Sequence, residues 1–180
     1  MKVLITGGAG YLGTVLTEEI LNRFPYAKVI VYDNLMYKQD GLFSFFKYPK
    51  DRFEFVYGDV RDKNSLLEQL QKLDKNNDYV IPLAAIVGFP ACARDEKLAT
   101  AVNFEHVKYI VQSTKCRIIY PNTNSGYGVS DGEAHCTEET PLAPISVYGR
   151  TKCDAEEWVL GAGHTSLRLA TVFGTSYRFR

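Results

Sequence analysis

A chain of 180 residues with 46% hydrophobic composition is long enough for one domain with a layered core. Its 21 basic and 21 acidic residues balance without a basic stripe or an acidic tail, so charge gives no reason to expect nucleic acid or a membrane surface as partner. No apolar run reaches the length of a membrane span, and the apolar residues after Lys2 give way to glycine too early for a signal peptide, so the expected location is the cytoplasm.

The chain opens on a branched apolar run, residues 2–6, bounded by glycine, which is the pattern of a strand buried on both faces. Gly7, Gly10 and Gly13 follow in a Gly-x-x-Gly-x-x-Gly spacing, where residues without a Cβ let the backbone turn sharply and let a bulky anion approach it. A helix is expected where the glycines end, with Leu12, Leu16, Ile20 and Phe24 along one stripe. Its unpaired N–H groups and positive dipole end would seat a pyrophosphate. A second strand, 28–32, leads to Asp33, 20 residues after Gly13. A carboxylate there would accept both ribose hydroxyls of an adenosine and repel a 2′-phosphate, which favours NAD over NADP.

Residues 34–50 are rich in aromatics and read as an irregular connection with one short helix. A third strand is expected over 52–57, followed by Gly58, Asp59 and Val60, and then a helix capped by Asp62 with Leu66, Leu70 and Leu73 on one face. A fourth strand is expected over 79–85, a long helix over 95–114, a fifth strand over 117–120, a helix over 146–160 and a sixth strand over 165–170. Strand and helix alternate, the signature of βαβ units and a parallel sheet with right-handed crossovers. Cys92, Cys116, Cys136 and Cys153 show no Cys-x-x-Cys spacing, and the three histidines are scattered, so no metal site is expected. His106, between Val102 and Ile110 on a helical pattern, reads as a satisfied core or surface residue.

The second informative stretch is 121–152. Tyr148 and Lys152 are four apart and share one face of a helix. An ammonium beside a phenol favours the phenolate and moves the tyrosine towards the working range of a general base. The Thr123 hydroxyl, at a strand end, could orient a substrate hydroxyl at the same point.

These motifs together resemble the extended short-chain dehydrogenases, specifically the NAD-dependent epimerase/dehydratase group acting on nucleotide sugars. The match rests on Thr6-Gly-Gly-Ala-Gly-Tyr-Leu-Gly13, Asp33, Gly58-Asp59-Val60, Leu83-Ala84-Ala85, Asn103, Thr123 with Tyr127-Gly128, and Tyr148-Gly-Arg-Thr-Lys152, and it runs along essentially the whole chain. The resemblance implies an α/β fold, a Rossmann-type doubly wound parallel sheet of strand order 3-2-1-4-5-6. Within it, Gly7, Gly10, Tyr11, Leu12, Asp33, Asn34, Asp59, Val60, Leu83, Ala84, Ala85 and Asn103 would form the NAD site, Asn103 also supporting the active-site helix. Thr123, Tyr148 and Lys152 would be the catalytic trio, with Tyr148 and Lys152 touching the cofactor as well.

The resemblance also implies a nucleotide-sugar substrate, a 4-keto intermediate, and a candidate homodimer pairing through the helices over 95–114 and 146–160. In the sugar 4,6-dehydratases of the group the threonine is followed by an acid pair or a nearby Glu, whereas Asn124 and Ser125 stand here, which disfavours dehydration and leaves epimerisation, or reduction or oxidation of a sugar carbon. Pro82 stands where a His is frequent. Relatives carry a smaller C-terminal substrate lobe beyond the sixth strand, so the expectation for residues 1–180 is the NAD-binding domain truncated before that lobe, with a catalytically inert NAD-binding module as the alternative to an epimerase, dehydratase or reductase.

Overall fold

The computed structural model describes residues 1–129 and 135–176. Six strands, β1 (Lys2–Thr6), β2 (Lys28–Asp33), β3 (Phe53–Tyr57), β4 (Tyr79–Pro82), β5 (Arg117–Thr123) and β6 (Thr165–Leu169), form one sheet in the order β3-β2-β1-β4-β5-β6. Every pairing is parallel. The expected strand order and fold are those observed.

Alternation along the strands divides the core. Leu4, Ile30, Val80 and Ile118 face a layer built from Leu66 and Leu70 of α2 (Lys63–Leu70) and Ile110 of α5 (His106–Ser113). Val3, Ile5, Val29 and Val31 face Ile20 and Leu21 of α1 (Tyr11–Arg23), with Leu42 and Phe45 of the 3₁₀ turn Gly41–Phe45. Apolar cover on both faces is why these strands read as continuous hydrophobic runs. Asp62 caps α2 as expected, accepting from the N–H groups of Asn64 and Ser65.

Four boundaries differ from expectation, each for a local reason. Helix α1 starts at Tyr11, with Gly13 inside it, and its buried residues are Gly13, Thr14, Thr17, Ile20 and Leu21, while Phe24 is exposed. A Cβ on Gly13 would lie 2.5 Å from Gly8, so the helix lies directly on the loop and turns small residues, rather than the leucine stripe, to the sheet.

Strand β4 stops at Pro82 and not at Ala85. Strand β5 runs on through Pro121 to Thr123. Neither proline has an N–H to give a ladder, and the β4–β5 pairing comprises Tyr79↔Arg117 and Val80↔Ile118, ending short of both.

The long helix expected over 95–114 consists of α4 (Glu96–Thr100), a π-helical turn (Ala101–Glu105) and α5. A short α3 (Phe89–Arg94), with Pro90 in its first turn, precedes it and was not anticipated. Helix α6 (Val147–Gly161) carries Tyr148 and Lys152, and Ser146 caps it through the Gly149 N–H.

Candidate active site

At the carboxyl ends of the strands lies a cavity of about 710 Å³. Its floor at one end is the glycine loop. Gly7 has φ +69°, and a Cβ there would stand 2.5 Å from the Ala84 backbone, so the β1 loop and the segment after β4 meet at a distance only glycine permits. Gly10 caps α1 with its backbone alone, and the first-turn amides of a helix have no acceptor within it. A 13-residue helix whose start opens on a cleft floored by glycine is a seat for an anion.

Asp33, at the end of β2, is 6% exposed; its carboxylate accepts from the Ala9 N–H at 3.0 Å and the Leu35 N–H at 2.8 Å. These bonds tie it to the glycine loop and fix its direction. Asp59, beyond β3, is held at about 2, below the usual carboxylate range, chiefly by the Arg61 side chain. The Tyr32 hydroxyl donates to the Asp59 carbonyl and is bonded to the Ser65 hydroxyl, both at 3.0 Å, and it reaches them because Gly58 has no Cβ, which would fall 2.4 Å from the ring.

Thr123, Tyr148 and Lys152 line the other end of the same cavity. Lys152 is 5% exposed, donates from Nζ to the Pro121 carbonyl at 2.7 Å, and lies over the Tyr120 ring at 4.1 Å from its centroid. Burial pulls this ammonium down from 10.5 to about 7, with Glu156 acting against the shift. Burial thus disfavours the charged form of the ammonium that the sequence spacing sets beside the phenol. Thr123 Oγ1 donates to Ser125 Oγ and accepts the Ser125 N–H, both at 3.2 Å, so Ser125 positions the threonine.

Of the residues expected at the site, Gly7, Gly10, Tyr11, Leu12, Asp33 and Asn34 line the cavity on the β1–β2 side. Asp59 and Val60 line it beyond the end of β3, and Leu83, Ala84 and Ala85 beyond the end of β4. Asn103 is the exception. It sits on the π-helical turn, 1% exposed, behind the wall, where Oδ1 accepts the Ile86 N–H at 2.8 Å and Nδ2 donates to the Ile86 carbonyl at 3.0 Å and to Thr151 Oγ1 at 3.3 Å. It therefore ties the segment after β4 to α6.

Sequence reasoning missed Met36, Tyr37 and Gln39 on the loop after β2, Asn122 on β5, and the segment from Leu169 to Val172 beyond β6, all lining the cavity. The signal was available: each follows or ends a parallel strand, where ligands of such sheets bind. Beyond that segment the chain crosses to the start of α1. The Tyr11 hydroxyl donates to the Gly174 carbonyl at 2.6 Å, and Ser176 Oγ donates to the Tyr11 carbonyl at 2.8 Å. Residues 177–180 lie outside the described residues. His106 is buried, with Nδ1 bonded to the Val102 carbonyl and Nε2 without a partner.

The fold and this cleft define a dinucleotide-binding domain of the doubly wound parallel type. The glycine cradle and Asp33 fit NAD, which would lie with its diphosphate on the glycine loop. The chain belongs to the NAD-dependent epimerase/dehydratase family, whose model matches residues 3–180. It is 29% identical over 180 residues to CDP-paratose 2-epimerase of Salmonella typhi, covering 89% of this chain and 52% of that one. It is 29% identical over 179 residues to dTDP-glucose 4,6-dehydratase of Mycobacterium tuberculosis, covering 91% and 50%. The structure resembles UDP-glucuronic acid 4-epimerase from Bacillus cereus in complex with NAD, with a TM-score of 0.83 and 26% identity over 97% of this chain and 57% of that one. The chain thus spans about half the length of the relatives it matches. No helix among the described residues is long and apolar enough to cross a membrane.

Proposed function

We propose that the chain is the cofactor-binding lobe of an NAD-dependent nucleotide-sugar epimerase. The observation that carries this reading is the sharing of one cavity by the glycine loop, Asp33, and the set Thr123, Tyr148 and Lys152. When bound, NAD supplies the acceptor, and then the donor, for the hydrogen on a sugar carbon. Tyr148 takes the proton of the hydroxyl on that carbon and returns it once the face of the transient 4-keto sugar has changed. Lys152, one helical turn away, stabilises the phenolate and holds the nicotinamide ribose, and Thr123 orients the substrate hydroxyl. Epimerisation is favoured over water loss because Asn124 and Ser125 offer no carboxylate to protonate a leaving hydroxyl. The reading carries with it a cytoplasmic location and pairing of two copies through the α4–α5 and α6 helices.

The test is incubation of the protein with NAD and a panel of UDP-, GDP-, CDP- and dTDP-sugars, following interconversion of stereoisomers. Interconversion that is lost in Tyr148→Phe, with NAD affinity nearly unchanged, supports the epimerase. Accumulation of a 4-keto-6-deoxy product would assign a dehydratase instead. NAD binding with no conversion of any sugar would count against turnover by this chain.

A further inference from the structure

The chain beyond β6 forms part of the cleft and is then fastened to the opposite end of it. Leu169 to Val172 line the cavity, and the next residues reach the first turn of α1. In the sheet order β1-β4-β5-β6 this path passes the carboxyl ends of β5 and β4, so it bridges the Thr123 end of the cleft and the glycine-loop end. Three hydroxyl groups fasten it there. The Tyr11 hydroxyl donates to the Gly174 carbonyl at 2.6 Å, Ser176 Oγ donates to the Tyr11 carbonyl at 2.8 Å, and the hydroxyl oxygens of Thr14 and Ser176 lie 3.2 Å apart.

Little apolar packing supports the crossing. Phe173 is 90% exposed and Val172 44%, and a Cβ built on Gly174 would meet nothing within 4 Å. A segment held by a few hydrogen bonds and little buried apolar surface opens more readily than the sheet beside it. Its anchor is also the turn whose first amides face the glycine-floored end of the cleft.

We infer that residues 170–176 are a strap across the dinucleotide cleft, latched by Tyr11 and Ser176, and that the latch must open for a dinucleotide to enter or to leave. The inference rests on the NAD site proposed above. A latch that closes equally over the empty and the filled cleft governs both rates and leaves the affinity almost untouched, because it has no differential interaction with the two states. Loss of a direct contact with the cofactor has another signature: dissociation quickens, affinity falls and association stays as it was.

The experiment is stopped-flow fluorescence on the whole 180-residue chain, with NADH as the probe for association and its displacement by excess NAD for dissociation. Tyr11→Phe removes the bond to Gly174 and keeps the ring, and Ser176→Ala removes the bond to the Tyr11 carbonyl. Each should raise both rates roughly fivefold, the worth of one neutral hydrogen bond, with Kd changed by less than about twofold. Thr14→Cys combined with Ser176→Cys places two thiols where the hydroxyls now meet. Its oxidised form should take up and release NADH at least about tenfold more slowly than the wild type, and dithiothreitol should restore both rates.

Unchanged rates in both single variants would overturn the strap, and so would a weaker Kd with an unaltered association rate. An oxidised double variant that admits NADH as fast as its reduced form would overturn it as well. Failure of the wild type to bind either NADH or NAD would remove the NAD site and this inference with it, whereas binding at rates indifferent to the latch would leave the site standing and remove only the strap.

Discussion

Replacing Asn103 by alanine should weaken the fold and the cofactor cleft together, because one side chain joins the wall of the cleft to α6. Its amide oxygen is the acceptor for the Ile86 N–H, and its amide nitrogen serves the Ile86 carbonyl and Thr151. With Asn103 gone, the Ile86 N–H is left without that acceptor in a buried place, and its carbonyl keeps the thiol of Cys92 at 3.2 Å, a weak donor. An unsatisfied buried donor costs about 1–3 kcal/mol, and the void left by truncation adds about 1 kcal/mol. Thr151 loses little, since its hydroxyl still donates to the Val147 and Tyr148 carbonyls.

The sum is about 3 kcal/mol, which at a slope of about 2 kcal/mol per molar urea lowers the unfolding midpoint by roughly 1.5 M. Because Ile86 lines the cavity, NAD affinity should fall in the same variant. Asn103→Asp provides a directional control. Its carboxylate can accept from Ile86 N–H but cannot donate to the carbonyl, and burial raises its pKa, so its deficit should shrink on acidification as it gains a proton. A midpoint shift under 0.3 M for Asn103→Ala, roughly 0.6 kcal/mol on that slope, would refute the reasoning.

Lys152 has a folded-state pKa of about 7 against an ordinary 10.5, so the unfolded chain binds more protons between those values and stability should rise with pH across that window; Lys152→Met should abolish the rise in urea midpoints measured from pH 7 to 10. Burial lowers His106 from 6.5 to about 4, so its neutral form supports the fold above 6.5 and that support is lost as pH falls through 4. His106→Leu should flatten the acid side of a melting-temperature profile, and an unaltered profile would count against a buried neutral imidazole. Glu156 is 2% exposed and accepts from Ser166 Oγ at 2.6 Å and Arg168 Nε at 3.0 Å. Glu156→Leu should cost about 3 kcal/mol by stranding Arg168, and Glu156→Leu with Arg168→Met should recover most of it in the same denaturation assay. Gly7→Ala must either shift the Ala84 segment or strain a φ of +69°, and NAD affinity by calorimetry should fall at least tenfold, roughly 1.4 kcal/mol.

What the sequence made legible is what depends on local pattern. Branched apolar runs between glycines marked the strands, Asp62 announced α2, and the positions of Gly7 and Asp33 placed one end of the cleft. What it concealed depends on contacts between elements. The stripe Leu12, Leu16, Ile20 and Phe24 is a good helical pattern, yet α1 turns Gly13, Thr14 and Thr17 inward because it lies against Gly8. The π-helical turn that aims Asn103 at Ile86 and Thr151 has no sequence signature, since it is fixed by those partners. The depression of Lys152 could not be read from a Tyr-x-x-x-Lys spacing, because it comes from burial of its side chain over the Tyr120 ring. The pairing of Asp59 with Arg61, two residues on, was equally invisible without the loop that folds one onto the other.

The short seam between β4 and β5 divides the molecule more deeply than its single sheet suggests. Only Tyr79↔Arg117 and Val80↔Ile118 zip the two halves there, and the glycine loop lies on one side while Thr123 and Lys152 lie on the other. A dinucleotide laid across that gap would act as a staple between two leaves. Amide protons flanking the seam, more than those deep in β1 or β2, should therefore exchange more slowly once the cleft is filled.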